Sequence, residues 1–225
     1  MEVKWDRKYR PWLCAAEPDA KRHLDCVLIT ASGLMVATDA HYLSVTPALL
    51  RQPADGFAGA LVPAAWLAWV AERQELAFPD DAGFTITLHP GMASAETGSG
   101  TSTTELHPAE RYVTWDLVAS NTLQKAMAIL ASERTAEPPQ IRLIPSCLAT
   151  LCEALGLTDA FGFARETPLI IAGENRLEPL LVLTSEPLAF GVLMPAGASY
   201  TDQDPSLQRS LYAVRHHREP AQEVA

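Results

Sequence analysis

The cysteines are the side chains of this sequence with the most reactive chemistry. Cys14, Cys26, Cys147 and Cys152 form no Cys-x-x-Cys pair, and no histidine stands beside them at the spacing typical of a zinc finger. Cys147 and Cys152 fall in an apolar pattern with helical spacing, which favours two buried apolar side chains. A nucleophilic cysteine needs a neighbouring base, and neither of these two has a sequence context that supplies one. We therefore expect free thiols, with no metal site and no cofactor.

Other catalytic motifs are missing from the sequence. It contains no Walker loop, no Gly-x-Gly-x-x-Gly after a strand, no His-Glu-x-x-His and no Gly-x-Ser-x-Gly. Asp80-Asp81 stands between Pro79 and Gly83, a composition typical of a turn rather than of a catalytic carboxylate pair. His216-His217 lies in a polar, arginine-containing tail, where adventitious binding of a metal or anion is the alternative to a solvated segment. We expect a protein that is not an enzyme.

Basic side chains cluster near the N-terminus, although the chain is acidic overall. The chain has 17 Lys and Arg against 27 Asp and Glu among 225 residues, a formal charge of −10 at pH 7, which excludes a uniformly basic nucleic-acid-binding surface. Segment 52–110 contains only one basic residue, Arg73. The cluster falls on a helix predicted over Trp5–Ala16 and on the loop after it, and a solvated helix face is its alternative interpretation. Its members are Lys4, Arg7, Lys8, Arg10, Lys21 and Arg22.

Composition favours a soluble, cytoplasmic protein of one or two folded domains. Hydrophobic residues make up 48% of the chain and charged residues 20%, which excludes a disordered protein. The longest apolar stretch, Ala58–Val70, is interrupted by Pro63 and is much shorter than the roughly 20 residues that span a bilayer. A signal peptide requires an apolar run after its basic N-terminal residues, and this sequence has none there. We expect no membrane association.

Hydrophobic periodicity predicts an antiparallel sheet with a helix in the first half of the chain. Pro63 would begin the helix Ala64–Gln74 directly after a short strand. Segment Gly91–Thr104 is rich in Gly, Ser and Thr, which favours a mobile loop. The predicted strands are Cys26–Thr30, Leu34–Thr38, Tyr42–Val45, Leu61–Val62, Phe84–Leu88 and Tyr112–Val118.

The second half repeats part of this order. A helix predicted over Leu123–Ala131 precedes a strand at Ile141–Ile144, and Pro145 then leads into the helix Ser146–Leu155. Further strands are predicted at Phe161–Phe163, Leu169–Ile171, Leu180–Thr184 and Phe190–Met194. The repeat favours two related α+β domains, 1–118 and a shortened 119–195, followed by a tail, 196–225.

Several segments together carry a resemblance to a known family. Arg22–Ile29 followed by Val36–Val45, with the turn Thr38-Asp39-Ala40-His41-Tyr42-Leu43, resembles the bacterial DNA polymerase III beta sliding clamps, whose hairpin carries a Thr-Asp-Gly-His-Arg-Leu-like signature. Arg111–Val118 and Val192-Leu193-Met194-Pro195 are similar to the family's interdomain strand and C-terminal segment, in the family's order. The resemblance implies a DNA-clamp-like α+β fold that corresponds to the middle and last clamp domains, each with an antiparallel sheet backed by helices.

The resemblance implies a groove between the two domains that binds short peptides of partner polymerases or repair proteins. Apolar anchors of the peptide would enter a concave apolar lining, and a few polar groups would fix its direction. The alternative for any single apolar position is that it fills a core, and the alternative for His41 is a hydrogen-bonded structural histidine. Carried over residue by residue, the lining is Leu24, Thr38, His41, Leu43, Val113, Val118, Val192 and Met194.

The resemblance also implies contact with duplex DNA, because clamp helices face a central hole and their Lys and Arg meet phosphates without reading bases. The N-terminal basic cluster is the DNA-binding candidate. Two domains per chain would suit a homo-oligomer of three chains. Ala40 and Tyr42 depart from the Gly and Arg of the signature, and the helix Ser146–Leu155 contains no Lys or Arg. This poor basic lining, together with the absence of a predicted hairpin between Ala131 and Ile141, favours the alternative to a processivity factor: a clamp-derived adaptor or decoy that keeps the groove but does not encircle DNA.

Overall fold

The computed structural model describes residues 1–18, 23–52, 55–112, 115, 144–158, 164–166, 169–171, 179–186 and 188–194. Its helical elements are the 3₁₀ turns η1 (Pro11–Cys14) and η2 (Ala109–Arg111) and the helices α1 (Ala64–Ala77) and α2 (Pro145–Ala154). Its strands are β1 (Glu2–Asp6), β2 (Cys26–Thr30), β3 (Leu34–Thr38), β4 (Tyr42–Pro47), β5 (Leu49–Arg51), β6 (Gly59–Pro63), β7 (Gly83–His89), β8 (Met92–Thr97), β9 (Gly100–Glu105), β10 (His107–Pro108), β11 (Leu169–Ile171), β12 (Leu180–Leu183) and β13 (Phe190–Leu193).

Two antiparallel sheets contain all of these strands. The smaller sheet has the order β5-β1-β7-β8-β9, and the larger has the order β10-β6-β2-β3-β4-β13-β12-β11. The larger sheet passes from the first half of the chain to the second where β4 pairs with β13. These antiparallel sheets, backed by α1 and α2, confirm the predicted α+β architecture. The division into domains 1–118 and 119–195 stays a prediction.

Helix α1 joins the two sheets. Pro63 precedes it, and Leu67, Val70, Ala71 and Gln74 are buried at helical spacing along one face. The helix contacts β2 and β6 of the larger sheet and β7 and β8 of the smaller one. The buried Gln74 amide donates from Nε2 to the Thr85 carbonyl at 2.7 Å and to the Glu96 carbonyl at 3.0 Å, while its Oε1 accepts from the Thr85 N–H at 2.9 Å. Its amide therefore fastens α1 to the smaller sheet.

Helix α2 supports the strands on both sides of the crossover between β4 and β13. It contacts both of these strands as well as η1. Leu151 of α2 is fully buried and lies directly over Gly191 of β13, where an added Cβ would come within 2.7 Å of its Cδ1. The missing side chain at Gly191 thus lets helix and strand approach closely.

The N-terminal helix predicted over Trp5–Ala16 is wrong. Its first residues belong to β1, which pairs with β5 and β7, and η1 is the only helical element in the part of this segment that the structure describes. Val3 and Trp5 point into the core while Lys4 between them is less buried, which is the two-residue period of a strand. Pro11 stands at the first position of η1, where its missing N–H costs no hydrogen bond.

The mobile loop predicted over Gly91–Thr104 is also wrong, because this segment forms the β8–β9 hairpin. Gly91 and Gly100 have φ values of 73° and 120°, which suit the turns on either side of β8. Thr residues, which favour strands, then occupy three of the six positions of β9, and its partly buried residues alternate with exposed ones. Glycine and small polar residues therefore mark turns and an exposed strand here.

Most of the other predicted elements are confirmed within the described residues. The helices Ala64–Gln74 and Ser146–Leu155 correspond to α1 and α2, and the strands predicted in 26–45, 84–88 and 169–194 are present. The predicted elements Leu123–Ala131 and Phe161–Phe163, the tail 196–225 and most of Tyr112–Val118 and Ile141–Ile144 lie outside the described residues. None of the described helices is long and apolar enough to cross a membrane.

Candidate functional site

The pairing of β4 with β13 brings together most of the predicted groove residues. Leu43 lies opposite Thr38 on one side and opposite Val192 on the other. Beyond the end of β13, the Met194 N–H donates to the His41 carbonyl at 2.8 Å. We call these five residues the β4–β13 junction: Thr38, His41, Leu43, Val192 and Met194. Sequence positions that are far apart thus form one continuous surface.

The turn between β3 and β4 is held by its own side chains. Thr38 Oγ1 donates to the Tyr42 carbonyl at 2.7 Å and accepts from the Ala40 N–H at 3.1 Å. Asp39 Oδ1 accepts from the N–H groups of His41 at 2.8 Å and Tyr42 at 3.1 Å. Ala40 adopts a φ of 78°, a conformation that favours glycine. Ala40 therefore carries backbone strain that a glycine at this position would not.

An apolar cluster continues the junction across the larger sheet. Along β2 and β3, residues that face the main core (Val27, Ile29, Met35 and Ala37) alternate with residues of this second cluster, so the cluster occupies the other face of the sheet. Leu24, Phe190, Leu183 and Trp115 pack against it and are partly buried. Its buried members are Cys26, Leu28, Val36, Leu43, Val45, Leu61, Tyr112, Leu181 and Val192.

The junction has a buried floor and an accessible rim. Leu43 and Val192 are only 5% and 2% exposed, whereas Met194 is 40% exposed. His41 is also exposed, and Leu24 is intermediate. The two remaining predicted groove residues, Val113 and Val118, lie outside the described residues. The described part of the site therefore offers apolar side chains beside an exposed methionine and histidine.

Tyr112 and Trp115 pack on the same cluster, although sequence reasoning did not select them. The Tyr112 hydroxyl donates to the Cys26 carbonyl at 3.4 Å, and burial raises the pKa of Tyr112 well above its usual range. Both aromatics lie in the segment Tyr112–Val118, for which the sequence predicts a strand, and that prediction is wrong for these two residues, since neither belongs to a strand. The signal that could have found them is the pair of aromatic side chains three residues apart beside the predicted groove valines.

Burial disfavours nucleophilic chemistry at Cys14 and Cys26. All four are free thiols, as predicted. Burial raises the pKa of Cys14 to about 12, and burial followed by the neighbouring Asp25 carboxylate raises the pKa of Cys26 to about 12. Both thiols are therefore protonated at neutral pH, which disfavours nucleophilic chemistry at these positions.

The basic cluster is not on a helix, and most of its described members already have intramolecular partners. Arg7 donates to the carbonyls of Phe78 and Pro79. Lys8 Nζ lies 3.1 Å from a Glu186 carboxylate oxygen, and Arg10 lies 3.9 Å from that of Glu75. Lys4 lies on β1, whereas Lys21 and Arg22 are outside the described residues. The predicted basic inner helix is therefore wrong.

The two described α-helices also carry little positive charge. Arg73 is the single Lys or Arg of α1 and α2, and it shares these helices with Glu72, Glu75 and Glu153. The Arg73 guanidinium lies 5.7 Å from the centre of the Trp69 ring, which is partly exposed on α1. These two helices therefore have a net negative formal charge, which opposes phosphate binding.

Comparison with solved structures relates this fold to bacterial sliding clamps. A chain assigned as a DNA polymerase III beta subunit from Eubacterium rectale has 13% identity and a TM-score of 0.62, over 88% of this chain and 66% of that one. The DNA polymerase III beta subunit from Pseudomonas aeruginosa has 18% identity, a TM-score of 0.61 and coverages of 88% and 66%. The sliding clamp from Bacillus subtilis has 12% identity, a TM-score of 0.59 and coverages of 88% and 64%.

These similarities confirm the clamp-like fold. Comparison with protein-family profiles gives no match to the sequence, and comparison with curated proteins gives none either. The chain spans slightly less than two thirds of the length of the clamp chains that it matches. Identities this low show similarity of fold alone, so a clamp activity of this chain is a proposal.

Proposed function

We propose that this protein is a sliding-clamp-like accessory protein of DNA replication or repair, which binds partner peptides at the β4–β13 junction. The observation that carries this proposal is the register that sets Leu43 against Val192 and the Met194 N–H against the His41 carbonyl. This pairing places an apolar floor and an exposed methionine at the sheet crossover of a clamp-like fold. The partners are polymerases or repair proteins that carry short apolar peptide segments.

Peptide binding at this surface follows from ordinary burial energetics. Each leucine-sized or phenylalanine-sized anchor that leaves water contributes roughly 1.5–3 kcal/mol before the cost of ordering the peptide is subtracted. One or two anchors therefore give moderate affinity, and polar groups at the rim, such as His41, fix the direction of the peptide. The hydrogen-bonded turn at Asp39 keeps this rim in place, which lowers the ordering cost on the protein side.

Fluorescence anisotropy with a labelled clamp-binding peptide tests the proposal. Met194→Ala should weaken binding several-fold, because it removes an exposed apolar side chain from the junction. Met92→Ala is the matched control, since Met92 and Met194 are both 40% exposed but Met92 lies on the smaller sheet. Leu24→Ala should also weaken binding. Equal affinity of the wild-type protein and of Met194→Ala would contradict the proposed site.

A second candidate is an adaptor that binds partner peptides without encircling DNA. The negative formal charge of the two described α-helices favours it, because a ring that slides on duplex DNA needs basic side chains toward the phosphates. The intramolecular partners of Arg7, Lys8 and Arg10 favour it as well. DNA binding by the N-terminal basic cluster stays a prediction.

Size-exclusion chromatography with light scattering separates these two candidates. A processivity ring of two-domain chains should elute as a closed oligomer, and three chains would supply six domains. An adaptor should elute as a monomer or dimer. Retention on nicked circular duplex DNA that is lost on linearisation would identify encirclement, and its absence alongside peptide binding would identify the adaptor.

A further inference from the structure

Three side chains that can bind a transition metal meet at the edge of the larger sheet. The ligand atoms of His23, Cys26 and His107 all lie within 4.8 Å of one another. The two imidazole rings have centroids 4.7 Å apart and planes inclined by 36°. Cys26 is buried, and both histidines are half-buried. A cluster of two imidazoles and one thiol is therefore shielded from solvent on one side and open on the other.

The strand register explains why Cys26 and His107 lie close together. His107 of β10 lies opposite Leu61 of β6, and Leu61 lies opposite Leu28 of β2. Directly opposed residues of a sheet share a face, and Cys26 shares the face of Leu28 because the two are two residues apart. His23 precedes β2 with a φ of 55°, and its ring packs against that of His107. The backbone pairing, and not only the choice of rotamers, thus brings these side chains to one face.

We propose that His23, Cys26 and His107 bind a divalent transition-metal ion of the Zn²⁺ class, with the fourth coordination position open to water or to a further ligand. Tetrahedral zinc with nitrogen ligands at about 2.0–2.1 Å and sulfur at about 2.3 Å holds these three ligand atoms roughly 3.3–3.6 Å apart. The present separations require the side chains to move inward by about 1 Å at most. This inference is independent of the proposed peptide binding.

The donor set selects the class of ion. Imidazole and thiolate suit zinc and its transition-metal neighbours, whereas Ca²⁺ and Mg²⁺ prefer oxygen ligands. Cys26 binds as the thiolate, and its proton passes to solvent when the metal enters. Asp25 Oδ1 lies 3.8 Å from the Cys26 sulfur and adds negative charge beside the site. The cation would therefore meet two imidazoles, one thiolate and a nearby carboxylate.

Metal binding would fasten the edge of the larger sheet. Strand β10 has only two residues and pairs with β6 alone. Bonds from one ion to His107 and to Cys26 would connect β10 directly to β2, across β6. The turn η2 and Tyr112, which pack on the apolar cluster, follow β10 immediately. The site would therefore set the position of the segment that covers this face of the sheet.

Titration of the untagged, full-length protein with Co²⁺ tests the proposal. Cobalt bound to a thiolate gives a sulfur-to-metal charge-transfer absorption, and Zn²⁺ should abolish this band by displacing cobalt. The band should be lost in Cys26→Ser and remain in Cys147→Ser, a partly exposed cysteine on α2. His107→Gln, a substitution near the edge of the sheet, should weaken Co²⁺ binding at least about tenfold while far-ultraviolet circular dichroism stays unchanged.

The tail provides the competing explanation, because His216-His217 can also bind metal. The tail contains no cysteine, so it cannot produce the sulfur-to-metal band. A protein that carries both His216→Ala and His217→Ala should keep the band and the Co²⁺ affinity of the parent. Loss of binding in this tail variant, persistence of the band in Cys26→Ser, or absence of any band in the parent would overturn the proposal.

Discussion

The β4–β13 junction follows the clamp pattern more closely than the helical layer does, which we define as η1, α1 and α2. At the junction, the register, the turn hydrogen bonds and the apolar floor agree with a peptide groove. In the helical layer, η1 stands where a basic inner helix was expected, and α1 and α2 share a single arginine. Peptide binding requires a shaped apolar surface, whereas sliding on DNA requires charge placement. The junction therefore supports the proposed peptide binding, whereas the helices oppose sliding on DNA.

The largest expected effect concerns the support of the junction by α2. Leu151→Ala removes a fully buried side chain that packs over Gly191, so it should lower the free energy of unfolding by about 2–5 kcal/mol. Chemical denaturation measures this loss. Leu76→Ala is the control, because Leu76 on α1 is 70% exposed and should change stability by less than about 0.5 kcal/mol. Similar losses in both variants would mean that α2 does not hold the junction strands.

The next effect separates the helical layer from the junction. Gln74→Leu leaves the Thr85 N–H without its side-chain acceptor and should cost about 1–3 kcal/mol of folding stability. Peptide affinity should stay unchanged, because Gln74 contacts only the smaller sheet among the hydrogen bonds of the described residues. Glu72→Leu, on the exposed face of α1, is the matched control for the added apolar side chain. A parallel loss of peptide affinity in Gln74→Leu would show that α1 and the β4–β13 junction are energetically coupled.

A smaller effect of opposite sign is expected at the turn of the junction. Ala40→Gly should raise the free energy of unfolding by about 0.5–1 kcal/mol, because glycine adopts the φ of 78° without strain. The same substitution in helix α1, Ala68→Gly, should lower it by about 1 kcal/mol. Thermal unfolding of the two variants measures both signs. Destabilisation by Ala40→Gly would indicate that the lost backbone rigidity outweighs the relieved strain.

The smallest effect is expected from reversal of the basic cluster. In the adaptor interpretation, the Glu variants of Lys4, Arg7 and Lys8 should leave the salt dependence of DNA binding unchanged, since Arg7 and Lys8 already have partners within the chain. Binding to nicked circular duplex DNA at several salt concentrations measures this slope. A slope that falls by roughly one for each reversed residue would assign phosphate contacts to the cluster and restore the ring interpretation.

The sequence predicted the strands of the junction better than the segments around it. The unbroken apolar runs in Cys26–Thr30 and Leu34–Thr38 require strands covered on both faces, and the structure has the main core on one face and the second cluster on the other. The helical spacing of Trp5, Tyr9 and Trp12 was misleading, because Trp5 pairs with β7 as part of β1 whereas Trp12 lies in η1. Tertiary pairing of this kind has no local signal.

The candidate sites could likewise be predicted only where the strand pairing could be inferred from the sequence. Five of the eight predicted groove residues meet at the junction, because their order in the resemblance matched the order of strands in the sheet. The three ligands of the proposed metal site were missed. His23 and Cys26 have only two residues between them, but the third ligand, His107, reaches them through the pairing of β10 with β6 and of β6 with β2. That register could not be read from a two-residue strand.

Nuclear magnetic resonance of the protein with ¹³C-labelled methionine methyl groups tests the central claim most directly. The chain has five methionines, and Met194→Ala and Met92→Ala assign the two signals of interest. Addition of an unlabelled clamp-binding peptide should shift the Met194 signal until it saturates, while the signals of the exposed Met92 and the buried Met35 stay in place. Saturation of the peptide without any change at Met194 would contradict peptide binding at the β4–β13 junction.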